Sequence, residues 1–233
     1  NLTARLDTSW RLGLTGRNGR GKTTLLRLLS GELDSGGKVH MPLPAVYFPY
    51  PVTDASLTTM EVMRSAAPDT EDWRFLCEWN QLFGSEEALE RPFCTLSNGE
   101  QTKALLCALF ARDDVYPLID EPTNHLDIES IEWLEGYLSR AKIAFLMVTH
   151  DRYLLDRVCT KIFEIDRTNV YEYAGNYDNY LRRRQERIDA MSAELAKVKN
   201  LLRKEQEWMN RQPQARAGKA KYRIDNYYDL RQR

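Results

Sequence analysis

Two short stretches hold residue types arranged for chemistry on phosphate. Gly16-Arg17-Asn18-Gly19-Arg20-Gly21-Lys22-Thr23 fits the spacing G-x-x-x-x-G-K-[ST]. Glycines let a backbone wrap tightly enough for its N–H groups to face a phosphate. A helix starting at Gly21-Lys22 adds the positive end of its dipole. Lys22 is expected to neutralise the outer phosphate oxygens of a nucleotide, and the Thr23 hydroxyl to ligate Mg²⁺. Gly16, Asn18, Gly19, Gly21 and Thr24 complete the expected binding set. The second stretch, Leu118-Ile119-Asp120-Glu121, ends an apolar run in two acids. There Asp120 can hold Mg²⁺ through its water shell, and Glu121 can polarise an attacking water as general base. Two acids after an apolar run say little alone. Downstream of a phosphate loop, they mark a site for nucleotide hydrolysis.

These residues need a scaffold, and the flanking patterns supply one. Ser9–Thr15 reads as a buried strand entering the loop, and Thr23–Ser30 as the helix leaving it, stopped at Gly31. Ala45–Phe48 is a short strand closed by Pro49-Tyr50-Pro51. Residues 57–92 read as mainly helical, with Trp73, Leu76, Trp79, Leu82 and Phe83 on one apolar face. Glu100–Ala111 reads as an amphipathic helix, Val115–Asp120 as a buried strand, and Ser130–Leu138 as a helix. Ile143–Thr149 is a further buried strand, and Lys161–Asp166 with Thr168–Tyr173 a closing hairpin. Apolar strands alternating with helices imply an α/β fold with a mainly parallel sheet, covered on both faces. The acids then lie at the carboxyl edge of the sheet, where open α/β sheets bind ligands. Pro117 inside its strand lacks a ladder donor and implies a strand start or a local break.

Charge divides the chain. Residues 1–177 carry 18 Lys and Arg against 26 Asp and Glu, a net of −8. Residues 178–233 carry 15 against 8, a net of +7. A tail of that sign points to a polyanionic partner. Within it Ile188, Met191, Leu195, Val198 and Leu202 follow the three–four spacing of a coiled-coil seam. The seam breaks near Arg211-Gln212-Pro213, and a second helical stretch runs from Lys219 towards Arg233. The tail therefore reads as an α-hairpin whose second arm is cut short. No apolar run approaches the roughly 18 residues of a membrane span, and Asn1–Arg5 lacks signal-peptide character. Cys77, Cys94, Cys107 and Cys159 have no metal-ligand spacing and read as small buried hydrophobes in a reducing compartment.

Between the two phosphate motifs stands Leu96-Ser97-Asn98-Gly99-Glu100-Gln101, which resembles the signature of ATP-binding cassette (ABC) ATPases. Glu121-Pro122-Thr123-Asn124-His125-Leu126-Asp127 and Val148-Thr149-His150-Asp151-Arg152 resemble that family's D-loop and switch-histidine segments, in its order. The NHLD form, the THDR that follows and the helical tail most resemble the ABC-F subfamily. The resemblance implies a P-loop ABC domain over 1–175, with a helical subdomain at about 53–112, and a basic linker arm over 176–233. It implies two cassettes paired head to tail around two molecules of ATP with Mg²⁺. The second cassette would belong to the same full-length chain or to a dimer partner. Ser97, Asn98, Gly99 and Glu100 would then meet the partner's nucleotide, Asp127 would cross the interface, and His150 would sense the γ-phosphate and orient the water. His125 is expected to pack locally in its loop, and His40 to be an exposed strand residue.

Three positions depart from the family pattern. Tyr50 stands where a metal-ligating glutamine is usual, Asn98 replaces the first signature glycine, and the aromatic that usually stacks on adenine has no counterpart. Slow turnover is expected of the site that uses Asn98. The resemblance further implies that the hairpin tip, 208–223, reaches tRNA on the ribosome. Arg211, Arg216, Lys219, Lys221 and Arg223 would contact RNA, with no acid among them. The resulting expectation is a cytoplasmic translation factor, or a protein that protects ribosomes from antibiotics, with no membrane subunit. The alternative is the ATPase subunit of a transporter, which predicts a coupling surface within 50–90.

Overall fold

The computed structural model describes residues 6–7, 9–34, 36–82, 85–113, 115–140, 143–166 and 169–210. The chain divides into two compact units, Asn1–Tyr180 and Leu181–Arg233. The first unit is built on a sheet in which β1 (Arg11–Gly16) lies between β4 (Phe145–Val148) and β5 (Lys161–Asp166). Beyond β4 come β3 (Tyr116–Asp120) and β2 (Ala45–Phe48), and β6 (Asn169–Ala174) closes the far edge. All pairs are parallel except β5 with β6, the hairpin expected from the sequence.

The strands alternate between two apolar layers. Phe145 and Met147 of β4 join Ile119 on one face, while Leu146 and Val148 join Leu118, Leu12 and Leu14 on the other. With both faces covered, such strands must be apolar at every position. Helix α1 (Lys22–Leu29) contributes Leu26 to the second layer and stops before Gly31, whose φ of 80° suits the residue after a helix end.

Pro117 has a direct explanation. Tyr116 donates its N–H to Pro44 on the β2 side, at 2.8 Å. Side alternation turns the Pro117 nitrogen towards β4, but the β3–β4 register begins only at Leu118↔Leu146. The missing donor therefore falls one residue ahead of the ladder that would have used it.

The helical subdomain comprises α2 (Thr59–Ala66) and α3 (Asp72–Gln81), packed on α5 (Asn98–Phe110), and α4 (Glu86–Glu90), packed on α2. Two sequence expectations are corrected here. Trp73 and Leu76 do not join the buried face of α3: they are 62% and 38% exposed. The inward positions are Phe75, Trp79 and Leu82, at steps of four and three, and the Trp79 indole N–H donates to the Ser85 carbonyl at 3.0 Å. Burial of a side chain of this size contributes on the order of 3 kcal/mol. Phe83 lies outside the described residues. Second, α5 starts at Asn98 rather than Glu100 and is amphipathic only in its first turns. Residues Ala104 to Phe110 are all buried, because α5 is enclosed by the sheet, α2 and α3.

Helix α6 (Ile128–Arg140) and short α7 (Arg152–Val158) complete the first apolar layer through Leu134, Leu138, Leu154, Leu155 and Val158. His40 is exposed in an irregular segment ahead of β2, not in a strand. Of the four cysteines expected to be buried, Cys107 and Cys159 are, whereas Cys77 and Cys94 are exposed. Helix α8 (Tyr177–Asn210) is rooted in the first unit: Tyr180 packs edge-on to Tyr173 of β6, with ring centroids 5.1 Å apart. The Asp178 N–H donates to the Asp156 carboxylate of α7 at 3.0 Å. Further along α8, Ile188, Met191 and Leu195 of the expected seam are exposed. The expected break at Arg211–Pro213 and the second arm lie outside the described residues.

Candidate nucleotide-binding site

The loops after β1, β3 and β4 emerge side by side at the carboxyl edge of the sheet, since these strands are neighbours there. Together they line a cleft of about 440 Å³ formed by Asn18, Gly19, Gly21, Lys22, Thr23, Thr24, Asp120, Glu121, Val148 and His150. Gly21 caps α1 with φ 85° in the left-handed region, a turn that a glycine makes without strain. The first turn of α1 therefore opens directly onto the cleft.

Inside the cleft the side chains hold one another. Lys22 folds back so that its ammonium donates to the Gly16 carbonyl at 2.9 Å, with the Arg17 carbonyl at 3.4 Å. Gly16 thus acts from beneath, through its oxygen. The Thr23 hydroxyl donates to Asp120 Oδ2 at 2.7 Å. Hard oxygen donors this close, a hydroxyl and a carboxylate, are the type that Mg²⁺ takes. Glu121 sits at φ 50°, uncommon for a residue with a side chain, and its N–H donates to the Val148 carbonyl at 2.8 Å. That bond bends the chain out of β3 and turns the carboxylate to the loop after β4. There the His150 N–H donates to Glu121 Oε2 at 3.2 Å, and His150 Nε2 lies 3.6 Å from Oε1. The imidazole is 70% exposed on the cleft wall, so it has no packing role.

Sequence reasoning missed Tyr47. Its hydroxyl donates to Asp120 Oδ2 at 3.1 Å, and the Arg27 guanidinium lies 5.6 Å from its ring centroid. Burial, and next the negative Asp120, hold its pKa above the usual phenol range, so it stays a donor. Tyr50 is turned the other way, packed against the helical subdomain with its hydroxyl buried. Burial raises its pKa as well, with Arg112 opposing.

The signature residues form a separate assembly at the start of α5. Ser97 and Glu100 close a capping box: the Glu100 N–H donates to Ser97 Oγ at 3.3 Å, and the Ser97 N–H and hydroxyl both donate to Glu100 Oε2 at 2.8 Å. These bonds, the backbone one first, hold the Glu100 carboxyl below its usual pKa range. Asn98 is exposed in the first turn. Gly99 faces the His125 carbonyl so closely that a Cβ would stand 2.8 Å from the oxygen. His125 itself is exposed at φ 67°. Asp127 Oδ1 accepts from the Ser130 N–H at 2.8 Å and its hydroxyl at 2.6 Å, while Oδ2 lies 3.3 Å from Lys103 Nζ. The Asp127 pKa is lowered chiefly by the Ser130 bonds. Arg211, Arg216, Lys219, Lys221 and Arg223 lie outside the described residues.

An apolar cavity of about 190 Å³ between α1 and the sheet, lined by Leu14, Leu25, Leu29, Met41, Tyr116 and Phe163 among others, has no comparable convergence of polar groups. Among the described residues no group of three or more His, Cys, Asp or Glu is arranged to hold a metal ion, and no helix is long and apolar enough to cross a membrane.

Comparison with known proteins agrees with the geometry. Two family models, each described as ABC transporter, match residues 1–124 and 163–232. The uncharacterized ABC transporter ATP-binding protein YfmR of Bacillus subtilis is 31% identical over an alignment of 275 positions, covering 100% of this chain and 44% of YfmR. The energy-dependent translational throttle protein EttA of Mycobacterium tuberculosis is 41% identical over 141 positions, covering 60% of this chain and 25% of EttA. The chain thus spans less than half the length of these curated relatives. A bacterial ABC transporter cassette solved as a dimer superposes with a TM-score of 0.66 at 17% identity, over 75% of this chain and 89% of that one. A phosphate loop, an acidic strand end and a signature helix on this sheet, matched by family models across most of its length, make this chain a member of the ATP-binding cassette family, of the ABC-F type.

Proposed function

We propose that the chain is an ATP-hydrolysing cassette and arm root of an ABC-F protein that works on the ribosome. The observation that carries the catalytic reading is the convergence of Thr23 with Asp120, and of Glu121 with His150, beside the first turn of α1. In this reading the loop N–H groups and Lys22 bind the phosphates of ATP. Thr23 and Asp120 hold Mg²⁺, whose charge screens the phosphate oxygens. Glu121 takes the proton of the attacking water while His150 holds the carboxylate in place. Ser97, Asn98, Gly99, Glu100 and Asp127 serve the nucleotide of a second cassette, so the chain alone hydrolyses ATP slowly. The EttA relative, named as a translational throttle, supports action on the ribosome in the cytoplasm. The net charge of the tail supports contact with RNA, including tRNA, through Arg211, Arg216, Lys219, Lys221 and Arg223, carried on a coiled-coil hairpin.

The test is co-sedimentation of the full-length protein carrying Glu121→Gln with ribosomes, with and without ATP, at two salt concentrations. ATP-dependent, salt-sensitive pelleting that weakens on deletion of 208–223 is expected. Absence of ribosome association under all conditions would sink this reading. One observation favours a second reading: exposed Trp73 and Leu76 lie within the stretch that a transporter subunit would present to a membrane partner. Recovery of the protein with membranes instead of ribosomes would select it.

A further inference from the structure

The proposed Mg²⁺ site has a neighbour that no motif announces. Tyr47 of β2 is in register with Leu118 of β3, so the two side chains share a face of the sheet. Asp120 lies two residues further along β3, on that same face, and the length of a tyrosine side chain spans the offset. The hydroxyl reaches Asp120 Oδ2 at 3.1 Å, and the Thr23 hydroxyl reaches the same oxygen at 2.7 Å. Two donors from different elements, β2 and α1, therefore fix one oxygen. Oδ1 accepts no hydrogen bond among the described residues and is left for the cleft. The ring is held in turn by Arg27 of α1, 5.6 Å from its centroid.

We infer that Tyr47 is a positioning residue for the metal site: its hydroxyl locks the Asp120 carboxylate with Oδ1 turned to the cation's water shell. The inference rests on the Mg²⁺-nucleotide reading above. Thr23 gives its proton to Oδ2 and keeps a lone pair for the cation, so it is both a metal ligand and a donor to Asp120. Tyr47 is no ligand itself, so its part at the site is the bond to Oδ2 alone. Tyr50, the residue in the position where the family usually carries a glutamine, does not contribute, since its hydroxyl is buried against the helical subdomain. Partners that orient a metal ligand typically change metal affinity by about ten- to a hundredfold when removed.

The experiment compares wild type, Tyr47→Phe and Tyr50→Phe as the whole chain. Binding of a fluorescent ADP is measured in EDTA and then at rising Mn²⁺, giving the metal-free affinity and the Mn²⁺ midpoint separately. The expected result is a midpoint about tenfold higher for Tyr47→Phe, with metal-free affinity within about twofold of wild type. Tyr50→Phe should match wild type in both. An unchanged midpoint for Tyr47→Phe overturns the inference alone. So does an equal loss of affinity with and without metal, which would mean a damaged fold, or an equal midpoint shift for Tyr50→Phe. Absence of any Mn²⁺ effect in wild type overturns the metal-site reading and this inference with it.

Discussion

The phosphate half and the signature half of the cassette are built by opposite means. In the phosphate half, side chains from three loops converge on a cleft, and their contacts are ones a ligand can exchange: Lys22 to a carbonyl, Thr23 to Asp120, Glu121 to His150. In the signature half the side chains are spent locally. Ser97 and Glu100 cap their own helix, Asp127 caps α6, and Gly99 exists to let the His125 carbonyl approach. What that half presents outward is the first turn of α5, with Asn98 exposed on it. Substitutions should therefore alter chemistry in the first half and geometry in the second.

Four substitutions separate the two halves. Glu121→Gln should lower ATP hydrolysis by the full-length protein at least about a hundredfold, the usual worth of a positioned base. Phosphate release beside nucleotide binding checks it, and binding should survive. Lys22→Ala should weaken nucleotide binding by about ten- to a hundredfold, as expected for charge-assisted bonds. Its melting temperature without nucleotide should barely move. Gly99→Ala should do the reverse. Crowding a backbone carbonyl costs about 1–3 kcal/mol, outweighing the roughly 1 kcal/mol that alanine gains in a helix. Thermal melting should fall by several degrees while ADP affinity for the phosphate loop stays unchanged; equal affinity losses in both variants would erase the distinction. Ser97→Ala should cost about 1 kcal/mol through the lost cap. Its pH dependence has a definite sign. The Glu100 pKa is depressed in the folded state, so the stability it supplies is present above the unfolded glutamate value and is lost as pH falls through the folded one. Alanine keeps the backbone N–H bond made at Ser97, so the stability gap between wild type and Ser97→Ala, read by denaturant titration, should narrow on acidification through that window only by the share of the lost hydroxyl bond.

Local patterns made the phosphate half legible in advance. The loop, its strand, its helix and the acidic pair are contiguous, and each dictates its neighbours. Tyr47 was not legible, because its contact with Asp120 depends on the β2–β3 register, which no local pattern encodes. Trp73 and Leu76 misled because hydrophobicity fixes that a helix has an inward face but not its rotation. Phe75, Trp79 and Leu82 form an equally good stripe and are the one used. Pro117 looked like a defect until the late start of the β3–β4 ladder removed the need for its donor. The arm tip was legible only as charge.

Helix α7 is seven residues long, about 10 Å of rigid rod. Asp151, next to His150, caps its beginning by accepting from the Tyr153 and Leu154 N–H groups. Asp156, near its end, accepts from the first turn of α8. One short rod therefore carries the cap that follows His150 at one end and holds the first turn of α8 at the other.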